Sequence, residues 1–328
     1  MAVDQHMECE TPTVSVVMSV YNGAHYLRAS LDSVLCQQGV DFEFVVVDDG
    51  STDETPLILR EYAKQDARVR VSSQENTGLT VALIHGCAIA RGEFIARQDA
   101  DDISMPGRLA RQVRLLRSDP RLVFVSSHAD VIGPDGEWLL THERPADSFE
   151  ATERLLNGGE GPPGHGSVMV REAAYEAVGG YRREFYFAQD CDLWLRLAEV
   201  GRLGYVPLVL YRYRVTPHSI SGNRSGKQSF AALVDRCRDC RMRGQSESEL
   251  LQESGALLQN IDLRRGASEA RTHYFIARVQ LFRDLSAAER HLKAAVRLDP
   301  WQLRPWVCLL ALPLIRVWRH LAQLGEGE

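Results

Sequence analysis

Residues 93–102 read Glu-Phe-Ile-Ala-Arg-Gln-Asp-Ala-Asp-Asp, an apolar run that passes directly into a cluster of acidic residues. Two similar runs, Val14–Val20 and Phe44–Asp48, also end in polar residues, and each precedes a segment with helical character. Runs of β-branched residues bounded by turn formers indicate buried strands. Because strands and helices alternate, the sequence predicts an α/β fold in which helices flank a mostly parallel sheet.

Three polar segments lie at the carboxyl ends of these predicted strands: Ser19–Asn22, Asp48–Asp49 and Asp99–Asp101. Open sheets of this kind bind ligands outside the carboxyl ends of their strands. We therefore expect the three segments to border one ligand-binding cleft.

The acidic cluster predicts a metal site formed by Asp99, Asp101 and Asp102. Carboxylates so close together repel one another unless a cation or hydrogen-bond donors compensate for their charge. Asp99 and Asp101 could address one ligand, because alternate residues of a strand point the same way. Mg²⁺ and Mn²⁺ prefer oxygen ligands and are often completed by substrate phosphates. Alternatively, the cluster is a solvated turn in which Asp102 caps the helix that Pro106 helps to begin.

Asp48 and Asp49 have two interpretations. Together with the following Gly50 and Ser51, they can form a turn whose side chains satisfy free amides at the start of a helix. A carboxylate can also accept a hydrogen bond from the imide N–H of a uracil or thymine ring, and Tyr21 could stack on that ring. The residue types alone leave both roles open.

Five segments resemble, in the same order, the successive motifs of family-2 glycosyltransferases. They are Val14–Gly23, Val47–Asp53, Asn76–Gly78, Arg97–Pro106 and Gln189–Arg196. The resemblance covers roughly residues 12–215, about two thirds of the chain. It implies a Rossmann-like GT-A domain that transfers a sugar from a nucleotide diphosphate with inversion and uses Mn²⁺ or Mg²⁺.

The resemblance also implies roles on the donor side of the site. Ser19 and Tyr21 would border the nucleobase, and Asp49 would bind its edge. Asp99 would contact the ribose or nucleoside, and Asp101 would bind the cation that bridges the diphosphate. UDP is the first expectation, because Asp49 suits uracil; dTDP presents the same imide edge, and some relatives take GDP-sugars.

On the acceptor side, Asp190 matches the family's general base, which deprotonates the acceptor hydroxyl. Gln189 departs from the pattern, since an acidic residue often precedes this base. His165 could line the acceptor side, or it could be a hydrogen-bonded structural histidine. His218 lies near the place where some members carry a metal-linked histidine, although its spacing is shifted.

We therefore predict an inverting, metal-dependent, hexosyltransferase-type glycosyltransferase. Its donor would be a nucleotide-diphosphate-sugar and its acceptor a glycan or lipid-linked glycan, in surface polysaccharide synthesis. Inversion needs one base for the acceptor and a Lewis acid for the departing diphosphate. The alternative is a catalytically inactive sugar-nucleotide-binding adaptor that acts through its helical tail. A nicotinamide dehydrogenase is disfavoured, because the first strand does not open into GxGxxG.

Composition divides the chain of 328 residues into three predicted parts. Residues 1–12 would be an N-terminal tail, residues 13–227 the GT-A domain, and residues 228–328 a helical region containing a helical hairpin. Near its end, three tryptophans lie among aliphatic residues and arginines. This pattern suits a helix in a membrane interface, or a helix packed on its own domain or on a partner chain such as a second copy.

Composition also bounds the cellular role. The net charge of −6 gives no overall attraction to nucleic acid. Seven scattered cysteines do not suggest a disulfide framework. Residues 1–10 lack the apolar run of a signal peptide, and the longest apolar stretch, Trp306–Ile315, is interrupted by Pro313. We expect a cytoplasmic protein, and peripheral contact with the inner face of the membrane stays open.

Overall fold

The computed structural model describes residues 11–216, 224–259, 266–281 and 283–325. Almost all of the predicted tail 1–12 therefore lies outside the described residues, and so does His218.

Nine strands of the described chain form one sheet. They are β1 Val14–Val20, β2 Phe42–Asp48, β3 Val69–Ser73, β4 Phe94–Arg97, β5 Ile103–Ser104, β6 Leu122–Ile132, β7 Trp138–His142, β8 Met169–Arg171 and β9 Arg202–Arg214. The α-helices are α1 Ala24–Leu35, α2 Thr55–Gln65, α3 Leu79–Ala88, α4 Arg108–Ser118, α5 Ser148–Leu156, α6 Glu172–Ala177, α7 Gln189–Val200, α8 Arg224–Met242, α9 Ser248–Gln259, α10 Gly266–Gln280, α11 Leu285–Leu298 and α12 Leu303–Gly325.

The strand order is β3-β2-β1-β4-β8-β6-β9-β5, and β7 pairs with β6. From β3 to β4 neighbouring strands are parallel. Strand β8 then runs antiparallel to both β4 and β6, and β5 runs antiparallel to β9. The predicted α/β class with a helical C-terminal region is confirmed, and the sheet is mixed, with its parallel part formed by the first four strands of this order.

Strands β1 and β2 are buried along nearly their whole length, as their β-branched sequences predict for a parallel sheet. On one face, Val16 shares a core cluster with Leu31 of α1 and Leu109 of α4. On the other face, α3 lies so close that a methyl group added at Gly86 would be 2.7 Å from Cγ1 of Val17. These helices hold the sheet rigid beneath the ends of its parallel strands.

Contacts divide the chain into two compact units. The first comprises residues up to Ala129, residues 142–213 and residues 230–255; the second comprises residues 130–141, residues 214–229 and the chain from Ala256 onward. Most of α8 and most of α9 thus group with the larger part of the sheet, so the division does not fall at the predicted boundary after residue 227. The domain bounds inferred from composition stay a prediction.

In the second unit, α10, α11 and α12 share a small apolar cluster that includes Ala277, Leu292 and Leu312. Within the described residues, no helix combines the length and the apolar content that crossing a lipid bilayer requires.

Candidate functional site

The turn after β2 is organised around Asp49, a carboxylate only 2% exposed. Its Oδ1 accepts hydrogen bonds from Gln74 Nε2 at 2.8 Å and from Thr77 N at 2.9 Å, and its Oδ2 accepts one from Gly78 N at 2.8 Å. These bonds fasten the loop before α3 to the end of β2. The Thr77 hydroxyl also donates to Oδ1, so Oδ1 accepts three of these hydrogen bonds and Oδ2 one. Because each carboxylate oxygen has about two acceptor positions, these contacts leave one position open on Oδ2.

Asp48 serves the same turn, because its Oδ1 accepts a hydrogen bond from Ser51 N at 3.0 Å. The turn after β1 is joined to it: Asn22 N donates to Ser51 Oγ at 2.9 Å, and Asn22 Oδ1 accepts from Thr52 N at 2.8 Å. The ends of β1 and β2 therefore form one connected edge. On that edge Ser19 is half-buried and Tyr21 is 48% exposed.

In the acidic loop after β4, Asp99 is held from three directions. Its Oδ1 accepts a hydrogen bond from Arg97 at 2.7 Å, its backbone N–H donates to the Tyr211 hydroxyl at 3.2 Å, and its carbonyl accepts from Ser30 Oγ at 2.9 Å. Arg97 itself is buried and also donates to the carbonyl of Val17 in β1. The loop is thus built on strand β1 and cannot shift independently of it.

A second buried arginine, Arg108 of α4, supports the loop from below. Its guanidinium donates to Gln98 Oε1 at 3.0 Å and to the Arg97 carbonyl at 2.6 Å, and it lies over the ring of Tyr211. Burial lowers the pKa of Arg108 to about 10, so it remains charged at neutral pH. Gln112 continues the support, since its amide donates to the Ser167 carbonyl at 2.7 Å.

The remaining two carboxylates of the loop differ in burial. Asp101 is half-buried, whereas Asp102 is fully buried and its charge acts on Arg108 and Tyr211 in the interior. The alternative in which Asp102 caps the next helix is wrong. Helix α4 begins after Gly107, which has a φ of 77°, and no side chain caps it.

No group of three or more His, Cys, Asp or Glu side chains among the described residues is arranged to hold a metal ion. Mg²⁺ and Mn²⁺ commonly take one or two protein carboxylates and complete their shell with water and substrate phosphates. Asp101, half-buried beside the ion-paired Asp99, has the chemistry and the position for that kind of binding. The donor set therefore fits a cation shared with a diphosphate.

Helix α7 carries two carboxylates in its first turn, Asp190 and Asp192, with different surroundings. Asp192 is fully buried and forms ion pairs with Arg182 and with Arg196, the latter at 2.7 Å. Asp190 is half-buried, and its Oδ1 accepts a hydrogen bond from the adjacent Cys191 N at 2.9 Å. Burial and pairing therefore make Asp192 a structural residue and leave the Asp190 carboxylate with further acceptor capacity.

The loop before α7 brings this helix close to the edge formed by the ends of β1 and β2. Phe185 and Phe187 are buried against Phe230 of α8, with ring centroids 6.4 Å and 5.8 Å away. Tyr186, between them, points outward, and a methyl group added at Gly78 would lie 3.4 Å from its Cε2. The loop therefore reaches the same segment that binds Asp49.

Two non-glycine residues in the described chain have positive φ, Asn22 at 50° and Ala188 at 58°. Asn22 ends the turn after β1, and Ala188 immediately precedes α7. Left-handed backbone is unfavourable for residues with a side chain and concentrates at functional sites, where the surrounding structure enforces it. Both strained positions adjoin the predicted site residues.

His165, in the loop before β8, contacts Tyr181 and Trp194 of helix α7. Its Nε2 is 2.5 Å from the Tyr181 hydroxyl, and its ring packs edge-on against Trp194. Burial, together with the charge of Arg97, lowers the pKa of His165 to about 4. The charges of Asp190 and Asp99 partly oppose this shift. The imidazole is therefore neutral at physiological pH.

Close contacts connect the predicted site residues into one continuous border of the first unit, which we call the rim. A methyl group at Gly166 would lie 2.9 Å from Asp99 N, and one at Gly23 would lie 3.8 Å from Cβ of Ala100. Together with the approach of Tyr186 to Gly78, these contacts link the ends of β1, β2 and β4 to the start of α7. Asp49, the acidic loop, His165 and Asp190 all lie along this rim.

Sequence reasoning missed several residues that shape the rim: Gln74, Tyr186, Arg108 and Gly166. The aromatic triplet 185–187 was the available signal for Tyr186, because alternating burial of consecutive aromatic residues exposes the middle one. Gly166 follows His165 where a side chain would overlap the Tyr211 hydroxyl, a packing requirement that no local pattern reveals.

A parallel half-sheet continued by antiparallel strands, with an acidic loop after its central strand, defines a GT-A-type glycosyltransferase. Residues 15–179 match the profile of Glycosyl transferase family 2. EpsE of Bacillus subtilis (strain 168) is 35% identical over 229 residues, which cover 68% of this chain and 79% of EpsE. The chain therefore belongs to glycosyl transferase family 2.

Other similarities are more distant. Hyaluronan synthase of Pasteurella multocida is 28% identical over 209 residues, 63% of this chain and 21% of that protein. The structure of S. aureus TarS 1–349 in complex with UDP matches with a TM-score of 0.51 at 18% identity, covering 94% of this chain and 87% of that one. The mannosyltransferase PcManGT from Pyrobaculum calidifontis, in complex with GDP-Man and Mn²⁺, matches with a TM-score of 0.51 at 22% identity, covering 95% and 88%. The two structural matches show the shared fold.

Proposed function

We propose that this glycosyltransferase moves a hexose, with inversion, from a nucleotide-diphosphate-sugar bound along the rim. The observation that carries the proposal is the set of contacts that joins Asp49, the acidic loop and Asp190. Inverting transfer requires a nucleotide site, a diphosphate site and a base within one donor's length of each other.

At the nucleotide end, we propose that the base lies between Ser19, Tyr21 and Asp49. The open acceptor position on Asp49 Oδ2 suits the imide N–H of uracil or thymine, and the half-exposed Tyr21 ring can stack on the base. Tyr186, which contacts Gly78, would close the same pocket from the side of α7. UDP remains the first candidate for these reasons.

At the diphosphate, we propose that Asp101 holds Mn²⁺ or Mg²⁺, while Asp99 contacts the ribose or nucleoside. A bound cation would supply Lewis-acid stabilisation of the leaving diphosphate. The pair of buried arginines, Arg97 and Arg108, keeps the loop in one conformation, so little reorganisation is needed when the donor binds.

At the acceptor, we propose that Asp190 takes the proton of the attacking hydroxyl. A general base must be within hydrogen-bond reach of its proton and must not already be committed to a cation. Asp190 meets the second condition because the nearby arginines pair with Asp192 instead. The neutral His165 would hydrogen-bond an acceptor hydroxyl and so help to orient it.

We propose a glycan or lipid-linked glycan as acceptor, in surface polysaccharide synthesis. The similarity to the hyaluronan and chondroitin synthases of Pasteurella multocida, each covered over 21% of its length, supports a polysaccharide context. The exposed free thiol of Cys36 fits a reducing compartment such as the cytoplasm.

A thermal-shift panel of UDP, dTDP and GDP, each with and without Mn²⁺, tests the donor site. We expect one nucleotide to raise the melting temperature only with the metal, because both bind the folded state together. The variant Asp101→Asn should lose this shift. The control Asp235→Asn, which removes an exposed carboxylate of α8, should keep it. An unchanged shift in Asp101→Asn would refute the metal assignment.

A donor-hydrolysis assay separates the enzyme from the inactive adaptor. With each UDP-, dTDP- and GDP-sugar and Mn²⁺, the enzyme should slowly release nucleotide diphosphate even without its acceptor. An adaptor that only binds the donor would release none.

A further inference from the structure

The last helix of the second unit, α12, has two apolar faces. One face packs on α10 and α11, where Leu312 is buried and Cys308, Leu309 and Ile315 lie beside the cluster. Within the described part of the chain, the opposite face is exposed. Its aliphatic side chains are between 58% and 77% exposed, and they are Leu303, Val307, Leu310, Leu314 and Val317.

These five positions follow one another at spacings of four and three residues, which places them along a single line of the helix. Trp301 is 92% exposed just before the helix, and Trp306 is 43% exposed in its first turn. Isolated exposed apolar residues are ordinary, but a continuous row of this length marks an interaction surface.

The charge of this region indicates what covers it. Residues 285–328 contain six basic and four acidic residues, a net charge of +2 in a chain whose total is −6. Between Pro300 and Gly325 there are three arginines and no acidic residue. A second copy would bring an equally positive helix against this one, which like charges oppose. An anionic lipid surface offers acyl chains to the apolar row and phosphates to the exposed Arg304, whereas Arg316 already pairs with Glu289 of α11.

We propose that the outer face of α12 is a docking surface for anionic lipid, on which the helix lies in the plane of the membrane. An apolar row with tryptophans at one end and an arginine, Arg304, at its border is the pattern of interfacial helices. The aliphatic row enters the acyl boundary, and Arg304 at the border of the row meets lipid phosphates. This inference concerns attachment of the protein and does not depend on the transfer reaction.

Co-sedimentation of the full chain with lipid vesicles tests the proposal. We expect binding to vesicles of phosphatidylcholine with phosphatidylglycerol, and at least tenfold weaker binding to phosphatidylcholine alone. The double variant Leu310→Gln/Leu314→Gln should bind at least tenfold more weakly, because the row is lost. Arg304→Glu should weaken binding roughly tenfold, since it changes the surface charge by two units.

The matched control is Leu57→Gln/Met242→Gln, which removes two comparably exposed apolar side chains from α2 and α8. It should bind like the unmodified protein, and circular dichroism melts of both double variants should show that they fold. Equal binding of the control and the α12 variant would overturn the proposal, as would equal binding to both kinds of vesicle. A dimer in sedimentation equilibrium that dissociates in Leu310→Gln/Leu314→Gln would also overturn it, because a second copy would then cover the face.

Discussion

The rim has two edges that are held in place in different ways. We call the end of β2 around Asp49 the nucleotide edge and the start of α7 around Asp190 the acceptor edge, after their proposed roles. At the nucleotide edge, Asp49 is fastened by donors from the next loop, at most 29 residues along the chain. At the acceptor edge, α7 is fixed by ion pairs. Asp192 pairs with Arg182, and Arg182 pairs with Glu247, which lies 65 residues further along the chain than Arg182. The first edge is held by contacts within the segment from β2 to the start of α3, and the second by contacts that reach from α7 to the loop between α8 and α9.

A second contrast, between two carboxylates, lies within the first turn of α7. Asp190 and Asp192 are the same residue type two positions apart, yet the arginines neutralise only Asp192. The buried ion pairs fix the helix, and the half-buried Asp190 keeps acceptor capacity for its proposed role as base. A carboxylate's role therefore depends on which face of the helix the arginines occupy.

The largest effect should come from Asp190→Asn. An amide cannot accept the acceptor's proton, so we expect the transfer rate to fall by roughly 10²–10⁴-fold. Nucleotide binding, measured by calorimetry, and melting temperature should change little. Turnover like that of the unmodified enzyme would rule out Asp190 as the base. The proposed difference in role between the acceptor edge and the nucleotide edge would then fail.

The companion variant Asp192→Asn should act on stability. It leaves the buried Arg196 without its charge partner and Arg182 with Glu247 alone, and we expect a loss of about 3–5 kcal/mol in the free energy of unfolding. Urea denaturation of both α7 variants measures this loss. Equal stability of Asp190→Asn and Asp192→Asn would contradict the division of roles.

Acidification should lower the free energy of unfolding because it protonates the buried His165. Folding lowers its pKa from about 6.5 to about 4, so the stability it contributes is complete above pH 6.5 and is lost as the pH falls toward 4. Between pH 7 and pH 5 we expect a loss of about 1–2 kcal/mol. His165→Gln should lack this part of the pH dependence, while the exposed control His25→Gln should retain it.

A smaller effect is expected at the nucleotide edge from Gly78→Ala. Gly78 has a φ of 90°, where an alanine costs about 1–2 kcal/mol. The added methyl group would also press on Tyr186, so nucleotide affinity should fall while the transfer rate at saturating donor is kept. A fall in that rate without a change in nucleotide affinity would contradict the placement of Gly78 at the nucleotide edge.

The nucleotide edge was largely predictable from sequence, because β1, β2 and β4 each run into their polar residues without interruption. The acceptor edge was predictable only at Asp190, through a resemblance. Strand β9 was not predicted. Its tyrosine and arginine side chains hide the strand pattern, and Tyr211 becomes buried only because Arg108 and Asp99 come to it from distant segments. The helix-capping alternative for Asp102 was wrong because helix α4 begins only after Gly107 and Asp102 is buried in the interior.

The central claim is that Asp49, Asp101 and Asp190 act on one sugar nucleotide. A crystal structure with the stabilising nucleotide diphosphate and Mn²⁺ tests it most directly. We predict the base at Asp49 Oδ2, the metal between Asp101 and the diphosphate, and the terminal phosphate facing Asp190. A nucleotide bound away from these three carboxylates, or a metal held without Asp101, would contradict the account.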